Sequence, residues 1–309
     1  MRYTYGPVPS RRLGKSLGIS LIPSKTCTYS CVYCQLGRTT QLRAYRESFF
    51  PKEVVLAEIA EQVKVSDIDY LTFVGDGEPT LSSDIGWLIG RCKKEFDKPI
   101  AVITNGSLLY RDDVKEEMSE ADVVLPSLDC GSDEIYRRIN RPHGRINFGD
   151  MISGLIDFRR EYTGELWLEV MLVAGINDSV ETLNEIRMIL DQVEPERVYV
   201  ATPIRPPAES WVHPVLPERI LLAQKILGES KTLDSKETGG FSLNAFSNTQ
   251  DALIEIGTRH PLRVQQALDI ERAFNESGVV EGLLNSKQLL SVHYENSEYL
   301  LPAHFSRKV

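Results

Sequence analysis

The sequence predicts an α/β fold in which helices cover a parallel sheet. Between residue 17 and about residue 202, six short apolar segments alternate with helical patterns, as expected for consecutive β–α units. A polar loop follows each of these six segments. Function gathers at the carboxyl ends of the strands whether such a sheet closes into a barrel, curls into a partial barrel or stays open. The loops therefore indicate a site.

The individual elements follow from local patterns. Apolar residues spaced three and four positions apart predict helices, and short runs bounded by turn residues predict strands. The predicted helices begin near Pro51, which suits a first helical turn, and then cover roughly residues 84–95, 111–120, 149–161 and 180–193. The predicted strands are Leu17–Ile22, Tyr70–Val74, Ile100–Thr104, Val123–Pro126, Leu166–Val173 and Arg197–Thr202.

The chain is predicted to have three parts. Residues 1–227 form the core domain, and the polar, glycine-containing stretch 228–248 reads as a linker. Residues 249–309 are expected to form a small winged-helix-like domain. They carry six Lys or Arg against eight Asp or Glu, so DNA binding is not expected. The patterns behind this domain are three helices at about 249–260, 263–273 and 277–286 and a hairpin of Gln288–Tyr294 and Tyr299–Leu301.

Composition and charge narrow the class of protein. Hydrophobic residues make up 42% of the chain and charged residues 26%, and no run of eighteen apolar residues occurs, which is typical of a globular protein without a membrane span. The first residues lack the apolar segment of a secretion signal, so a cytoplasmic location is expected. The net charge of −9 gives no electrostatic argument for a nucleic-acid partner.

Three of the five cysteines lie within eight residues, as Cys27-x-x-x-Cys31-x-x-Cys34. An odd number of cysteines in a cytoplasmic protein argues against a disulfide framework. A structural zinc site needs four ligands, and only Cys92 or Cys130 could supply the fourth. Three thiolates suit a 4Fe–4S cluster with one iron open to an external ligand, whereas ferredoxin-type clusters use four cysteines.

This spacing, with Tyr33 before the third cysteine, resembles the signature of the radical S-adenosylmethionine (radical SAM) superfamily over roughly residues 15–205. The resemblance implies a partial (β/α)6 barrel and a 4Fe–4S cluster held by Cys27, Cys31 and Cys34, with SAM bound at the open iron. It also implies that one electron from the cluster cleaves SAM, giving a 5′-deoxyadenosyl radical that abstracts a hydrogen atom from the substrate.

The polar loops are similar to the cofactor contacts of the superfamily, in the same order. Asp76-Gly77-Glu78 resembles the Gly-Gly-Glu element that holds the amino group of the methionine moiety. Ser127 and Asp129 lie where family members contact the ribose. The other residues that the resemblance assigns to SAM are Asn105 after the third strand, Gly175, Ile176 and Asn177 near the adenine, and Tyr33 against the adenine.

Two residues are catalytic candidates. Glu169 lies in mid-strand, where a carboxylate is costly inside a barrel unless it is paired. It either contacts the cofactor or substrate or lies on the outside of the sheet. Arg205, in a proline-rich segment after the last strand, either shapes the mouth of the substrate site or belongs to a plain linker. Arg11 and Arg12 could join a basic run at 137–145 as an anion clamp.

Within the superfamily, residues 6–12 (Gly-Pro-Val-Pro-Ser-Arg-Arg) and 77–81 (Gly-Glu-Pro-Thr-Leu) resemble the group related to wyosine-base synthase, which modifies tRNA. The chain lacks the three upstream cysteines that hold the second cluster of that enzyme. The resemblance implies an RNA base, a protein or peptide, or a small molecule as substrate, and an electron donor such as flavodoxin or ferredoxin. The alternative is a non-catalytic metal-binding or electron-transfer module with a partner-binding winged helix.

Overall fold

The computed structural model describes residues 2–228, 230–232, 241–243 and 246–303. The strands are β1 (Thr4–Ser10), β2 (Gly14–Ile19), β3 (Thr26–Cys27), β4 (Gln41–Leu42), β5 (Tyr70–Phe73), β6 (Ile100–Thr104), β7 (Val123–Pro126), β8 (Glu165–Met171), β9 (Arg197–Ala201), β10 (Ser230–Thr232), β11 (Leu262–Arg263), β12 (Leu289–Tyr294) and β13 (Ser297–Pro302). The helices are α1 (Lys52–Val65), α2 (Ile85–Glu95), α3 (Asp112–Met118), α4 (Asp133–Ile139), α5 (Phe148–Glu161), α6 (Val180–Val193), α7 (Pro217–Leu227), α8 (Thr249–Arg259), α9 (Val264–Ala273) and α10 (Val279–Asn285).

The main sheet contains eight strands in the order β1-β2-β5-β6-β7-β8-β9-β10. All neighbours from β2 to β10 are parallel, and β1 is antiparallel to β2. The predicted α/β class with a parallel sheet is confirmed, and the sheet is consistent with a partial barrel. The first strand begins at Gly14, three residues before the predicted start at Leu17, because Gly14 to Ser16 pair with β1 in a hairpin that the sequence analysis did not predict.

The two faces of the sheet differ in what they bury. Along β8, Leu168 and Val170 join the large core between the sheet and its helices. Trp167 and Met171 alternate with them and belong to a smaller cluster on the inner face of the sheet. Since successive strand residues point to opposite faces, Glu169 also faces inward, where it lines a cavity. The inner face therefore carries the site.

Side-chain caps fix the beginnings of several helices. Asn147, Ser179 and Asn248 precede α5, α6 and α8, and each accepts a hydrogen bond from a backbone N–H in the first turn. These residue types are favoured at this position because they satisfy N–H groups that have no partner within the helix. No helix in the described ranges is both long enough and apolar enough to cross a membrane.

The C-terminal unit (residues 246–303) has its own core. Helices α8 to α10 pack with a three-stranded antiparallel sheet of order β11-β13-β12. Within the predicted linker 228–248, Ser230–Thr232 forms β10 and extends the main sheet beside β9. The other linker residues at 229, 233–240, 244 and 245, and the end of the predicted domain at 304–309, lie outside the described residues.

Replacing Ile186 with Ala is expected to lower the free energy of unfolding by about 2–5 kcal/mol, because the side chain is fully buried between α6 and the sheet. Met188→Ala, on the same helix, is the control. Met188 is 61% exposed, so its truncation is expected to change stability by no more than about 0.5 kcal/mol. Urea denaturation followed by circular dichroism measures both, and equal losses would contradict this orientation of α6.

Candidate functional site

A cavity of about 370 Å³ opens at the carboxyl ends of the parallel strands. Val74, Met171 and Thr202, at or just after the ends of β5, β8 and β9, form part of its wall. Its volume is within the range of small-molecule sites. The predicted site residues that line it are Cys27, Cys31, Tyr33, Cys34, Asp76, Gly77, Glu169 and Arg205.

The three cysteines of the motif face this cavity, form no disulfide and are partly exposed. The amide Nδ2 groups of Asn105 and Asn140 lie 3.6 Å from Cys27 Sγ and Cys31 Sγ, respectively, and donate to them. Hydrogen bonds to cysteine sulfur are among the features that tune iron–sulfur clusters. Neither asparagine was predicted to contact the cysteines, because both lie far from the motif in sequence.

The charge properties of the thiols also fit a metal centre. Burial raises the pKa of Cys27 to about 12, and the negative charge of Glu78 acts in the same direction. Burial, followed by the proximity of Cys27, raises the pKa of Cys31 well above its usual range. Thiolates crowded in this way repel one another unless a cation binds between them. Three cysteines facing one cavity supply the donor set that a 4Fe–4S cluster with one open iron would need.

The loop after β5 is hydrogen-bonded through its backbone to the segment that carries the cysteine motif (residues 25–40, the cysteine loop). Lys25 N donates to Asp76 O at 2.6 Å, and Glu78 N donates to Thr26 O at 3.1 Å. Thr26 and Gly77 form a parallel bridge between these bonds. A Cβ atom at Gly77 would lie 1.7 Å from Thr26 O, so only glycine allows this approach.

Glu78 joins this loop to the end of β6. Its carboxylate accepts hydrogen bonds from Thr80 N at 3.0 Å, Thr104 Oγ1 at 2.6 Å and Asn105 N at 2.7 Å. Burial raises the pKa of Glu78, and these hydrogen bonds oppose the rise. Asn105 continues the chain of contacts by donating to Thr28 Oγ1 at 2.7 Å. Glu78 and Asn105 thus lie together beneath the cysteine loop, outside the cavity lining.

Asp129 connects the cysteine loop to the ends of β7 and β8. Its carboxylate accepts from Tyr33 Oη at 2.5 Å, Asn140 Nδ2 at 2.7 Å and Met171 N at 2.9 Å. Burial raises the pKa of Asp129, and the Tyr33 hydroxyl opposes this. Ser127 lies next to this network, where its N–H donates to the carbonyl at the end of β6. Neither Asp129 nor Ser127 lines the cavity.

The predicted adenine region forms the turn after β8. Ile176 is buried in a cluster with Val173, and Tyr33 packs against the same cluster. Asn177 is fully buried; its Nδ2 donates to the carbonyls of Asp129 and Met171, each at 2.8 Å, and its Oδ1 accepts from Val173 N at 2.7 Å. Gly175 is exposed at the tip of the turn, with φ of 72°. All three residues lie outside the cavity lining, and Ile176 shares a cluster with Tyr33.

Glu169 and Arg205 both reach the cavity. Glu169 forms an ion pair with Arg12, which projects from the turn between β1 and β2. This places Glu169 on the inside of the sheet, as one of the two predictions for it required. Arg205 Nη1 donates to Gln35 Oε1 at 2.8 Å, and Arg205 Nη2 lies 3.1 Å from His260 Nε2. The segment of Arg205 is thus part of the cavity wall.

Arg259 and His260, in the C-terminal unit, also line the cavity and were missed by the sequence analysis. Arg259 is 8% exposed, and its Nε lies 3.3 Å from the carboxylate of Asp76. An arginine near the end of a helix is ordinary and marks no site. The sequence held one signal of such a partner, which was Asp76. This residue is acidic, whereas the Gly-Gly-Glu element that the loop resembles has glycine at the same position.

Comparison with known proteins identifies the family. Residues 21–186 match the family model described as the Radical SAM superfamily. The chain belongs to this superfamily. Its cofactors are a 4Fe–4S cluster and SAM, and the predicted membership is confirmed at the level of the superfamily. Radical SAM enzymes need a reductant and a substrate.

Curated relatives of this radical SAM protein cover nearly the whole chain. The UPF0026 protein MJ1312 of Methanocaldococcus jannaschii is 36% identical over 312 residues, which span 97% of this chain and 96% of the relative. A UPF0026 protein of Helicobacter pylori strain J99 is 33% identical, with 92% of each chain covered. The chain is therefore also a member of the UPF0026 proteins.

A solved structure supports the fold. The radical SAM methyltransferase from Sphaerobacter thermophilus superimposes with a TM-score of 0.57 at 18% sequence identity. The match covers 72% of this chain and 66% of the methyltransferase. At this identity the likeness extends to the architecture of the barrel.

Gly77→Ala is expected to separate the loop after β5 from the cysteine loop, because the added methyl group overlaps Thr26 O. We expect the free energy of unfolding to fall by about 1–3 kcal/mol and the iron content after anaerobic reconstitution to be lower. Gly90→Ala is the control, since Gly90 lies in α2, where an added Cβ would have no neighbouring atom within 4 Å, and should gain up to about 1 kcal/mol. Thermal unfolding and iron analysis measure both variants, and a Gly77→Ala protein with normal iron content would contradict the proposed contact.

Proposed function

We propose that this radical SAM protein is an enzyme that reductively cleaves SAM to a 5′-deoxyadenosyl radical for hydrogen abstraction from a substrate. The observation that carries the proposal is that Cys27, Cys31 and Cys34 face the same cavity as the loop after β5. When bound, the cluster supplies the electron that breaks a carbon–sulfur bond of SAM. The protein contributes binding, orientation and the exclusion of water.

The proposal gives a role to each predicted cofactor residue, in the cavity wall or in the loops behind it. Cys27, Cys31 and Cys34 hold three irons of the cluster and leave the fourth for SAM. Asp76 and Gly77 present the backbone that receives the methionine end of SAM, because they lie on the cavity wall next to the cysteine loop. The other residues assigned to SAM by the proposal are Tyr33 and Ile176 at the adenine, Ser127 and Asp129 toward the ribose, and Glu78, Asn105, Gly175 and Asn177 in the loops that carry these contacts.

Glu169 and Arg205 are proposed to contact the substrate. Both line the cavity away from the cysteine motif in sequence, on β8 and after β9. The ion pair with Arg12 compensates the carboxylate of Glu169 on the inner face of the sheet, where an unpaired carboxylate would be unfavourable. These side chains can therefore present fixed polar contacts to a substrate placed next to the radical.

We propose that the core domain (residues 1–227) is related to the wyosine-base synthase group. The two segments that carry this resemblance, 6–12 and 77–81, both contribute to the site: Val8 to Arg12 and Gly77 line the cavity. Segments that line a cavity are under chemical constraint, so their likeness supports related chemistry in the same place. The proposed substrate is an RNA base, a protein or peptide, or a small molecule.

The C-terminal unit is proposed to be a winged-helix-like domain, because its elements follow the order α8, β11, α9, α10, β12 and β13 with a terminal hairpin. We propose flavodoxin or ferredoxin as the electron donor. Arg43 and Arg141 are hydrogen-bonded through their backbones to the cysteine loop, but their side chains are ion-paired with Glu47 and Glu209. Arg145 is exposed two residues after His143, whose N–H donates to Thr28 O, and its positive charge on this side of the loop suits docking of an acidic electron carrier.

The proposal is tested with anaerobically reconstituted protein, dithionite and SAM. Wild type is expected to release 5′-deoxyadenosine, and Cys31→Ala to lose both cluster absorbance and product, by at least about 100-fold given the size of effects from removing essential groups. Cys92→Ala is the matched control, because Cys92 is buried in α2 and lies outside the cavity lining. A wild-type protein that holds its cluster without cleaving SAM would instead support the non-catalytic metal or electron-transfer module.

A further inference from the structure

The end of α8 inserts two residues of the C-terminal unit into the wall of the cavity. Arg259 and His260 line it next to residues of the core domain, including Asp76, which lies 183 positions earlier in the chain. Their contacts lead to both ends of the cysteine loop. This arrangement gives the C-terminal unit a place within the cofactor site.

The first contact is a buried ion pair between Arg259 and Asp76. Arg259 Nε lies 3.3 Å from both carboxylate oxygens, and the two side chains are 6% and 2% exposed. Arg259 also donates to Glu255 Oε2 and to Arg2 O, each at 3.1 Å, and lies over the ring of Tyr5. A buried pair with this many additional partners is geometrically defined, and removing one member leaves an uncompensated charge.

The pair is connected to Cys27, the first proposed cluster ligand, through the backbone of Lys25 and Thr26. Asp76 O accepts from Lys25 N at 2.6 Å, and Lys25 lies two positions before Cys27. Ser20 Oγ, at the end of β2, donates to Asp76 Oδ2 at 3.2 Å. Arg259 therefore holds Asp76 from one side while the core domain holds it from the other.

The second contact reaches the last cluster ligand. Gln35, directly after Cys34, donates through Nε2 to Arg259 O at 3.2 Å and accepts at Oε1 from Arg205. Arg205 in turn lies 3.1 Å from His260. The dipeptide Arg259–His260 is thus connected to both sides of the cysteine motif, directly to Gln35 after it and through Asp76 to Lys25 before it.

The hairpin of β12 and β13 fixes the unit in this position. Tyr299 Oη donates to Ile204 O at 2.6 Å, and Tyr294 Oη donates to Pro203 O at 3.1 Å. Pro203 and Ile204 precede Arg205 and also line the cavity. The hairpin and the end of α8 therefore hold the same loop, the one that follows β9.

We infer that Arg259 is a positioning residue of the cofactor site, through which the docked C-terminal unit holds the loop after β5 and the cysteine loop in the arrangement that binds SAM. His260 and Gln35 make the corresponding contacts at the other end of the cysteine motif, through Arg205 and Arg259. The inference rests on the proposed function, since it places SAM in this cavity. According to this inference, the C-terminal unit packs against the core domain and also increases the affinity of the protein for SAM.

Anaerobic equilibrium dialysis of SAM against the full-length, cluster-loaded protein tests the inference. Arg259→Gln is expected to raise the Kd of SAM about tenfold or more, the factor that corresponds to ~1.4 kcal/mol. Arg259→Lys keeps the charge and should recover part of the affinity. Arg272→Gln is the matched control, because Arg272 is an exposed arginine in the same unit that pairs with Asp269. It should bind SAM as wild type does.

A double-mutant cycle separates positioning from general stability. Asp76→Asn combined with Arg259→Gln removes both charges of the Asp76–Arg259 pair, so the double variant is expected to lose less affinity than the two single variants together. Circular dichroism, thermal unfolding and iron content are measured for each protein. A folded Arg259→Gln variant with reduced thermal stability and wild-type affinity for SAM would overturn the inference, as would fully additive losses in the cycle.

Tyr299→Phe keeps the inference testable if Arg259→Gln does not fold. It retains the ring and removes only the hydrogen bond to Ile204 O. We expect a rise in the Kd of SAM of about fivefold, the factor that corresponds to ~1 kcal/mol for one hydrogen bond, at unchanged iron content. An unchanged Kd in this variant would overturn the inference. A wild-type protein that binds SAM without cleaving it would count against the proposed function alone.

Discussion

The cysteine loop depends on hydrogen bonds from other loops for its shape. Residues 28–40, all described, contain no helix and no extended strand. Their backbone groups are bonded instead to neighbouring segments: Thr28 O to His143 N at 2.8 Å, Ser30 N to Asn140 O at 3.0 Å and Val32 N to Ile139 O at 2.9 Å. Buried backbone groups must find such partners, so the segment after α4 sets the course of the loop. Three thiols converge on one cavity as a result.

Three buried carboxylates hold the frame of the site together. Asp76, Glu78 and Asp129 are each at most 2% exposed. Burying a carboxylate is unfavourable unless hydrogen bonds or a cation compensate, and each of these has partners from at least one distant segment. The partners are Ser20 and Arg259 for Asp76, Thr80, Thr104 and Asn105 for Glu78, and Tyr33, Asn140 and Met171 for Asp129. The acids thus connect loops that follow different strands.

Local patterns predicted the parts of the fold that local interactions determine. Both β6 and β7 have the predicted bounds, because each is a short apolar run bounded by turn residues. The strand β1 was not predicted, since Gly6-Pro7-Val8-Pro9 has the composition of a turn. Proline is tolerated there because β1 is an edge strand that pairs only with β2 in the described sheet. The short helix α4, whose end holds the cysteine loop, was also missed.

The same distinction applies to the site. The cysteine motif and the loops after the strands are contiguous in sequence, so their chemistry could be predicted from residue type and spacing. Asp76 differs, because a buried carboxylate implies a compensating partner without indicating where in the chain it lies. Only the docking of the C-terminal unit brings Arg259 to that carboxylate across 183 positions. Since that pair lies in the cavity wall, the unit that looked like a separable appendage in the sequence is a structural part of the proposed cofactor site.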